Sequence, residues 1–169
     1  QGEVWRLAMG ETGKTNHHGL VVGMPGSGKS NLLHVLICQL TQRYAPQELE
    51  LYLLDFREGV GFQPYRTLPH VRALALESER EFALSILRHL QVAMQERGQL
   101  YKPLGVDQYF DYRRQSGAAL PRKFLIMDEF QVLFRDDDRL AQEAATLLED
   151  LVKRGRGFGI NLLLCSQSL

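Results

Sequence analysis

A glycine-rich turn near the start of the chain carries the residue types best suited to binding phosphate. Residues 23–30, Gly-Met-Pro-Gly-Ser-Gly-Lys-Ser, match the Walker A pattern GxxxxGK(S/T). The glycines let the backbone curl until consecutive N–H groups point at phosphate oxygens, and a following helix presents its positive end there. Lys29 would then supply a charge to the β- and γ-phosphates, and Ser30 would supply a hydroxyl to Mg²⁺. The predicted nucleotide-binding residues are Gly23, Met24, Pro25, Gly26, Ser27, Gly28, Lys29, Ser30 and Asn31.

Two adjacent carboxylates, Asp128 and Glu129, follow the apolar stretch 124–127. Asp128 at the end of a strand can hold Mg²⁺, often through water, and Glu129 can accept a proton from an attacking water. An acidic pair at the end of a strand usually faces solvent and has no catalytic role. Downstream of a Walker A pattern, however, it indicates hydrolysis of Mg²⁺·ATP. A GTPase is disfavoured because the sequence has no NKxD motif, and a small-molecule kinase because it has no arginine-rich lid.

Three polar residues flank the last predicted strand. Gln167 follows it and can hydrogen-bond the γ-phosphate or the attacking water, although a polar residue leaving the core would look the same. Arg154 and Arg156 precede it. Either arginine could reach the γ-phosphate on a neighbouring subunit as an arginine finger, and we slightly prefer Arg156. The alternative is a basic helix end that the helix dipole favours.

The elements that must position these residues follow from hydrophobic periodicity. Strands are predicted at 4–8, 19–22, 50–56, 122–127 and 160–165. Helices are predicted at 30–44, from a capping box at Ser78 and Glu81 to Gly98, at 105–115 and at 139–154. Continuous apolar strands that alternate with helices indicate an α/β fold, with a mainly parallel sheet and helices on both faces. In such a fold the glycine turn, Asp55, Asp128 and Gln167 share the edge where the strands end.

Composition describes an ordinary globular chain of 169 residues and 19.3 kDa. It has 20 basic and 20 acidic residues, and therefore no net charge to attract nucleic acid. Any DNA contact must use a small local surface. The two cysteines, Cys38 and Cys165, lie in apolar runs and are expected to act as small hydrophobes in a reducing, cytoplasmic environment. No apolar stretch is long enough to span a membrane, and no signal peptide is present.

The chain begins with Gln1 and ends two residues after Gln167, directly beyond an apolar run. We therefore expect residues 1–169 to be one ATPase domain taken from a longer protein and truncated on its C-terminal side.

Taken together, these motifs resemble the FtsK/SpoIIIE branch of the HerA–FtsK P-loop ATPases. The resemblance covers nearly the whole chain, with the Walker A segment, LYLLDFREG at 51–59, LPHV at 68–71, ERGQLYKPLGVDQYFDYR at 96–113, LPRKFLIMDEF at 120–130 and GRGFGINLLLCSQ at 155–167. The family typically has Asp-x-Lys after its second strand, and here Arg57 follows Asp55 at that spacing. His70, in a Pro-His pair, is either a functional residue or a histidine of the core or of a turn.

The resemblance implies a RecA-like P-loop fold and a ring, expected to be a homo-hexamer, with ATP at the subunit interfaces. One branch of the family translocates DNA, which makes DNA binding by the full-length protein the first expectation. The alternative is the type VII secretion branch of the EccC/EssC kind, whose ATPases serve protein export, and the strings DEF and SQ lean slightly toward it. A module that binds nucleotide without hydrolysing it is disfavoured, because the predicted catalytic residues are all present.

A DNA-tracking loop would need basic residues beside aromatic ones. Candidates flank Tyr109 and Tyr112, and they are Arg113, Arg114, Arg122 and Lys123. The favoured alternative is a charged segment that only meets solvent. Any membrane anchor of the full-length protein would lie in segments outside this chain.

Overall fold

Five parallel strands form one sheet in the described part of the chain. The computed structural model describes residues 17–57, 61–75 and 80–167. Its strands are β1 (Gly19–Val22), β2 (Leu49–Asp55), β3 (Val71–Ala75), β4 (Arg122–Asp128) and β5 (Ile160–Ser166). They lie in the order β1-β5-β4-β2-β3, and every neighbouring pair is parallel. All their carboxyl ends therefore meet at one edge, where parallel α/β sheets place their sites.

Four α-helices pack on the sheet within the described residues. They are α1 (Lys29–Arg43), α2 (Arg80–Tyr101), α3 (Tyr109–Ser116) and α4 (Arg139–Arg154). Short 3₁₀ turns lie at Gln63–Tyr65, Lys102–Leu104, Phe130–Phe134 and Gly155–Phe158. None of the helices in the described ranges combines the length and the apolar composition needed to cross a bilayer.

The side chains of β2 show why both faces of the sheet must be covered. Leu51 and Leu53 point to one face, where they pack in a core with Leu33 and Ile37 of α1. The alternate side chains of β2 join a second core with residues of α2 and α4. Since a strand with two apolar faces is stable only when both are buried, helices are needed on each side. The predicted mainly parallel sheet with helices on both faces is confirmed.

The structure corrects the predicted elements in three places. β3 was not predicted, because this strand at the edge of the sheet is short, half-buried and interrupted by Arg72. α2 does not end at Gly98 but continues to Tyr101, since buried Arg97 and Tyr101 hold its last turn against the core. α3 begins at Tyr109, later than predicted, because Gly105 has a positive φ of 64° and closes the preceding turn. The predicted strand at 4–8 and the cap at Ser78 lie outside the described residues.

The two cysteines differ in their surroundings. Cys165 is buried in β5, where desolvation raises its pKa to about 12, as expected for a small hydrophobe. Cys38 is exposed on α1, with its Sγ 3.9 Å from the Tyr65 hydroxyl. The apolar run around Cys38 is amphipathic, so its residues do not all face the core.

Candidate nucleotide-binding site

The glycine-rich turn leaves β1 at the carboxyl edge of the sheet and leads directly into α1. Gly26 and Gly28 have φ angles of 78° and 90°, in the left-handed region that glycine adopts without strain. The Gly23 N–H donates to the Ser166 carbonyl over 3.1 Å and ties the turn to the end of β5. Residues 24–28 are exposed, so the concave side of the turn is accessible to a ligand. The local sequence therefore forms the loop-to-helix junction that the Walker A pattern predicts.

Lys29 is folded against the two carboxylates at the end of β4. Its Nζ pairs with Asp128 Oδ1 and donates to Glu129 Oε1 over 2.7 Å. Desolvation opposes the charge of Lys29, but the hydrogen bonds that it donates to both carboxylates outweigh this effect and raise its pKa. Burial also opposes the charge of Glu129 and by itself would raise its pKa. The hydrogen bonds that Glu129 accepts from Lys29 and neighbouring donors outweigh burial, and its pKa is lowered. Lys29 and Glu129 are therefore both charged at neutral pH.

A second basic residue, Arg57, reaches the other side of Asp128. The strand register places Asp55 directly beside Asp128, and Arg57 follows Asp55 by two residues. The Arg57 guanidinium donates through one nitrogen to Asp128 Oδ2 and to Ser30 Oγ, the latter over 3.1 Å. Its backbone N–H donates to Asp55 Oδ1 over 3.0 Å. Burial raises the pKa of Asp55, and the bonds from Arg57 offset part of that effect.

The residues predicted to hold Mg²⁺ fit a cation. Ser30 Oγ and Asp128 Oδ2 both accept from the same guanidinium nitrogen, so a single cationic centre can contact both oxygens. No cluster of three or more His, Cys, Asp or Glu side chains suited to a metal occurs among the described residues. A metal held by Ser30 and Asp128 would thus take its remaining ligands from phosphates and water, which is how Mg²⁺ is usually bound.

Glu129 is held in an unusual backbone conformation. It is the only non-glycine residue with positive φ in the described ranges, at 55°, a geometry that costs about 1–2 kcal/mol. Its Oε2 accepts from Gln131 Nε2 over 2.7 Å and from the Gln167 N–H over 3.2 Å, while Oε1 accepts from Lys29. These donors compensate for the strain and aim the carboxylate toward Lys29.

The sequence patterns did not identify the contacts that Gln131, Asp55 and Arg57 make in this site. Gln131 was missed, and the signal available for it was a polar amide two residues beyond Glu129. Asp55 was recognised only as a strand end, and Arg57 only as the basic residue of a family motif. Gln167 lies at the site, where its backbone N–H donates to Glu129, and the predicted role of its side chain toward phosphate or water stays a prediction.

The structure does not bring the two finger candidates to this site. They lie at the Gly155–Phe158 turn or just before it, at the amino end of β5, so roughly 20 Å of strand separates them from the Walker A turn. Arg154 pairs with Asp150 one helical turn earlier, over 3.1 Å. Arg156 is exposed, and its side chain has no hydrogen bond or ion pair with the residues described here. Neither arginine can therefore serve the nucleotide bound to its own chain.

The basic residues proposed for DNA are mostly engaged in the fold. Lys123 donates to Glu50 and to the Tyr52 hydroxyl over 2.6 and 2.9 Å. The Arg122 guanidinium lies 4.8 Å from the centre of the buried Tyr109 ring. The other two candidates also have partners. Arg114 donates to Asp111 over 2.6 Å, and the Arg113 guanidinium lies over the Tyr109 ring. This segment packs helix α3 against the sheet.

His70 also has a packing role. It is buried, and its Nε2 lies 2.7 Å from the Tyr44 carbonyl at the end of α1. This bond joins the turn before β3 to the end of the helix. Of the two interpretations left open by the sequence, the structure supports a core or turn histidine.

Residues 8–168 match the model of the FtsK/SpoIIIE family. The chain belongs to this family. The resemblance inferred from the motifs is confirmed, and so are the P-loop fold and the assignment as an ATPase domain.

Similar curated proteins come from type VII secretion systems. The ESX secretion system protein YukB of Bacillus subtilis strain 168 is 30% identical over 89% of this chain and 10% of its own length. The ESX-4 protein EccC4 of Mycobacterium tuberculosis H37Rv is 35% identical over 90% of this chain and 13% of its own length. The chain thus spans about a tenth of the length of these relatives.

Two solved structures share the fold. The cytoplasmic domain of the Thermomonospora curvata type VII secretion ATPase EccC matches with a TM-score of 0.78 and 32% identity, over 93% of this chain and 19% of that one. The pCW3 conjugation coupling protein TcpA, solved with ATPγS, matches with a TM-score of 0.71 and 26% identity, over 89% of this chain and 42% of that one. Both similarities extend over almost the whole described structure.

Replacing Lys29 by alanine should remove saturable nucleotide binding. The substitution deletes the charge meant for the phosphates, so we expect affinity to fall about a hundredfold or more. Titration with a fluorescent ATP analogue measures this, with circular dichroism to verify folding. Lys153→Ala, which removes an exposed lysine on α4, should bind normally. Tight binding by a folded Lys29→Ala protein would contradict the assignment.

Proposed function

We propose that this chain binds Mg²⁺·ATP at the Walker A turn and hydrolyses it with Glu129 as general base. The observation that carries the proposal is the double contact of Lys29 with Asp128 and Glu129, which gathers a phosphate-binding cation, a metal ligand and a base at one point. These are the parts that phosphoryl transfer to water requires. Membership of an ATPase family supports the same assignment.

Phosphate binding and activation of the base are linked through Lys29 in this proposal. Lys29 uses two of its three N–H donors on the carboxylates, so contact with both the β- and γ-phosphates requires it to exchange at least one carboxylate bond, in this proposal that to Glu129, for a bond to a phosphate oxygen. That exchange frees Glu129 Oε1 to accept a proton from the attacking water. Meanwhile Gln131 and the Gln167 N–H keep the other oxygen of Glu129 in place. Glu129, which is ionised but hydrogen-bonded to Lys29 in the absence of nucleotide, would thus become available as a base when ATP binds.

The remaining residues bind and orient the nucleotide. The backbone N–H groups of residues 23–31 would surround the phosphates, with the start of α1 pointing at them. Ser30 and Asp128 would hold Mg²⁺, which when bound neutralises charge on the phosphate oxygens. The side chain of Gln167 would hydrogen-bond the γ-phosphate or the attacking water.

Hydrolysis is further proposed to take place in a ring, as a homo-hexamer, with Arg156 acting on the nucleotide of the adjacent subunit. Arg156 supports this because it is exposed, free of partners among the described residues and located at the opposite edge of the sheet from the Walker A turn. A group at that edge can reach a nucleotide only on another copy. Arg154, by contrast, is already paired with Asp150.

The translocated substrate is proposed to be a secreted protein. YukB and EccC4 are named as secretion proteins, and one similar structure is EccC (ATPases 2 and 3) in complex with a signal sequence peptide, 29% identical with a TM-score of 0.72. The ATPase would act in the cytoplasm, anchored to the membrane through segments outside this chain. DNA remains the second candidate, because the conjugation coupling protein TcpA shares the fold. Lys123 and Arg122, two of the basic residues considered for that role, are instead engaged in contacts within the fold.

Glu129→Gln should separate binding from hydrolysis. The amide keeps the shape of the side chain but cannot accept a proton, so we expect kcat to fall about 10²- to 10⁴-fold while ATP is still bound. Phosphate release at saturating ATP, combined with analogue binding, measures both. Glu96→Gln on the exposed side of α2 is the matched control. Turnover at the wild-type rate by Glu129→Gln would refute the assignment of the base.

Mixing two inactive variants tests Arg156. Lys29→Ala subunits still carry Arg156, and Arg156→Ala subunits still carry an intact Walker A turn. Random assembly should therefore restore activity at roughly a quarter of the interfaces. ATPase assays of the mixture against each variant alone measure the recovery, with Arg154→Ala as the control that stays active unmixed. A mixture no more active than its components would exclude action on a neighbouring subunit.

The substrate is tested by stimulation of ATPase activity in the full-length protein that carries this chain. We expect signal-sequence peptides of type VII secretion substrates to raise kcat severalfold and duplex DNA to leave it unchanged. Stimulation by DNA that is independent of sequence and fades with added salt would instead favour the DNA motor.

A further inference from the structure

The guanidinium of Arg57 lies on the two oxygens that the proposed function assigns to Mg²⁺. One of its nitrogens donates to both Ser30 Oγ and Asp128 Oδ2. Arg57 takes no part in the proposed hydrolysis. Its position nevertheless hinders Mg²⁺ from contacting both oxygens, because one guanidinium nitrogen already occupies the place from which a single cation would reach them.

Both oxygens of Asp128 are already paired with a basic side chain. Asp128 is completely buried, its Oδ1 pairs with Lys29, and its Oδ2 pairs with Arg57. A buried carboxylate must be compensated by charge, and here the compensation comes from two sides. Mg²⁺ can replace the contribution of Arg57, so loss of that contact need not leave Asp128 unpaired.

The fold leaves space beside Asp55 for a second position of the Arg57 guanidinium. The backbone N–H and the Nε of Arg57 lie 3.0 and 3.5 Å from Asp55 Oδ1, so the base of the side chain is anchored apart from Asp128. It also lines a cavity of about 260 Å³ together with His34, Asp55 and Phe62. The side chain is 34% exposed, whereas that of Asp128 is fully buried. The guanidinium can therefore turn into this cavity while Asp55 retains it.

We propose that Arg57 is a tethered cation that competes with Mg²⁺ for Ser30 and Asp128, and that it turns toward Asp55 when the metal–nucleotide complex binds. The inference rests on the proposed function and adds a regulating residue to the same site. The site therefore needs a higher Mg²⁺ concentration than it would need without Arg57. Metal alone binds weakly, and nucleotide bound without metal keeps Arg57 as its counter-ion. By linkage, removing Arg57 strengthens the coupling between Mg²⁺ and ATP.

The test is the binding of a fluorescent ATP analogue as Mg²⁺ is titrated, which requires no turnover. In Arg57→Gln, the Mg²⁺ concentration at half-maximal binding should fall about fivefold, because the competing cation is gone. In EDTA the same variant should bind the analogue more weakly than wild type. Arg57→Lys keeps the charge and should shift the midpoint less, and it provides a second variant should the glutamine protein fail to fold.

Arg66→Gln is the matched control. Arg66 is exposed and also lies between β2 and β3, and its substitution removes the same charge. Its Mg²⁺ midpoint should equal that of wild type. An unchanged or higher midpoint in Arg57→Gln, or an equal shift in Arg66→Gln, would overturn the inference. These outcomes differ from failure of the proposed function, in which wild type itself would bind no nucleotide with or without Mg²⁺.

Discussion

The buried carboxylate of Asp128 is the constraint on which the site depends. It lies at the end of β4 with no exposed surface, and an ionised group there is stable only if it is paired and hydrogen-bonded. Lys29 comes from the β1–α1 junction and Arg57 from the end of β2. The parallel sheet is what allows this, because it brings the ends of β1, β2 and β4 to a single edge. Removing the pairing would leave the centre of that edge with an uncompensated charge.

The same pairing explains the strained backbone at Glu129. A positive φ is unfavourable for any residue with a Cβ, yet this one is buried and its carboxylate is held by Lys29, Gln131 and the Gln167 N–H. Those bonds come from three separate parts of the chain, so relaxing the backbone would break contacts throughout the site. In the proposed mechanism the strain is useful, since it keeps the base beside Lys29 rather than free to turn into solvent.

The two edges of the sheet have different electrostatic roles. At the carboxyl edge, three carboxylates and two basic side chains lie close together around Asp128. At the amino edge, Arg122 and Lys123 are covered by aromatic rings and by Glu50. The chain has no net charge, and most of the basic residues considered for DNA contact are used in packing. Arg156 differs from them because it is exposed and unpaired among the described residues.

The sequence by itself determined the Walker A turn, the acidic pair and the alternation of apolar strands with amphipathic helices, because each depends on residues that are close along the chain. It failed at β3 and at Gly98, where packing on an edge strand and on α2 overrides weak local preferences. Only the tertiary structure decided that Arg57 bridges Ser30 and Asp128, and that Gln131 and Gln167 orient Glu129. The physical reason is register: Asp55 pairs with Asp128 across two strands far apart in sequence, and no local pattern specifies that alignment.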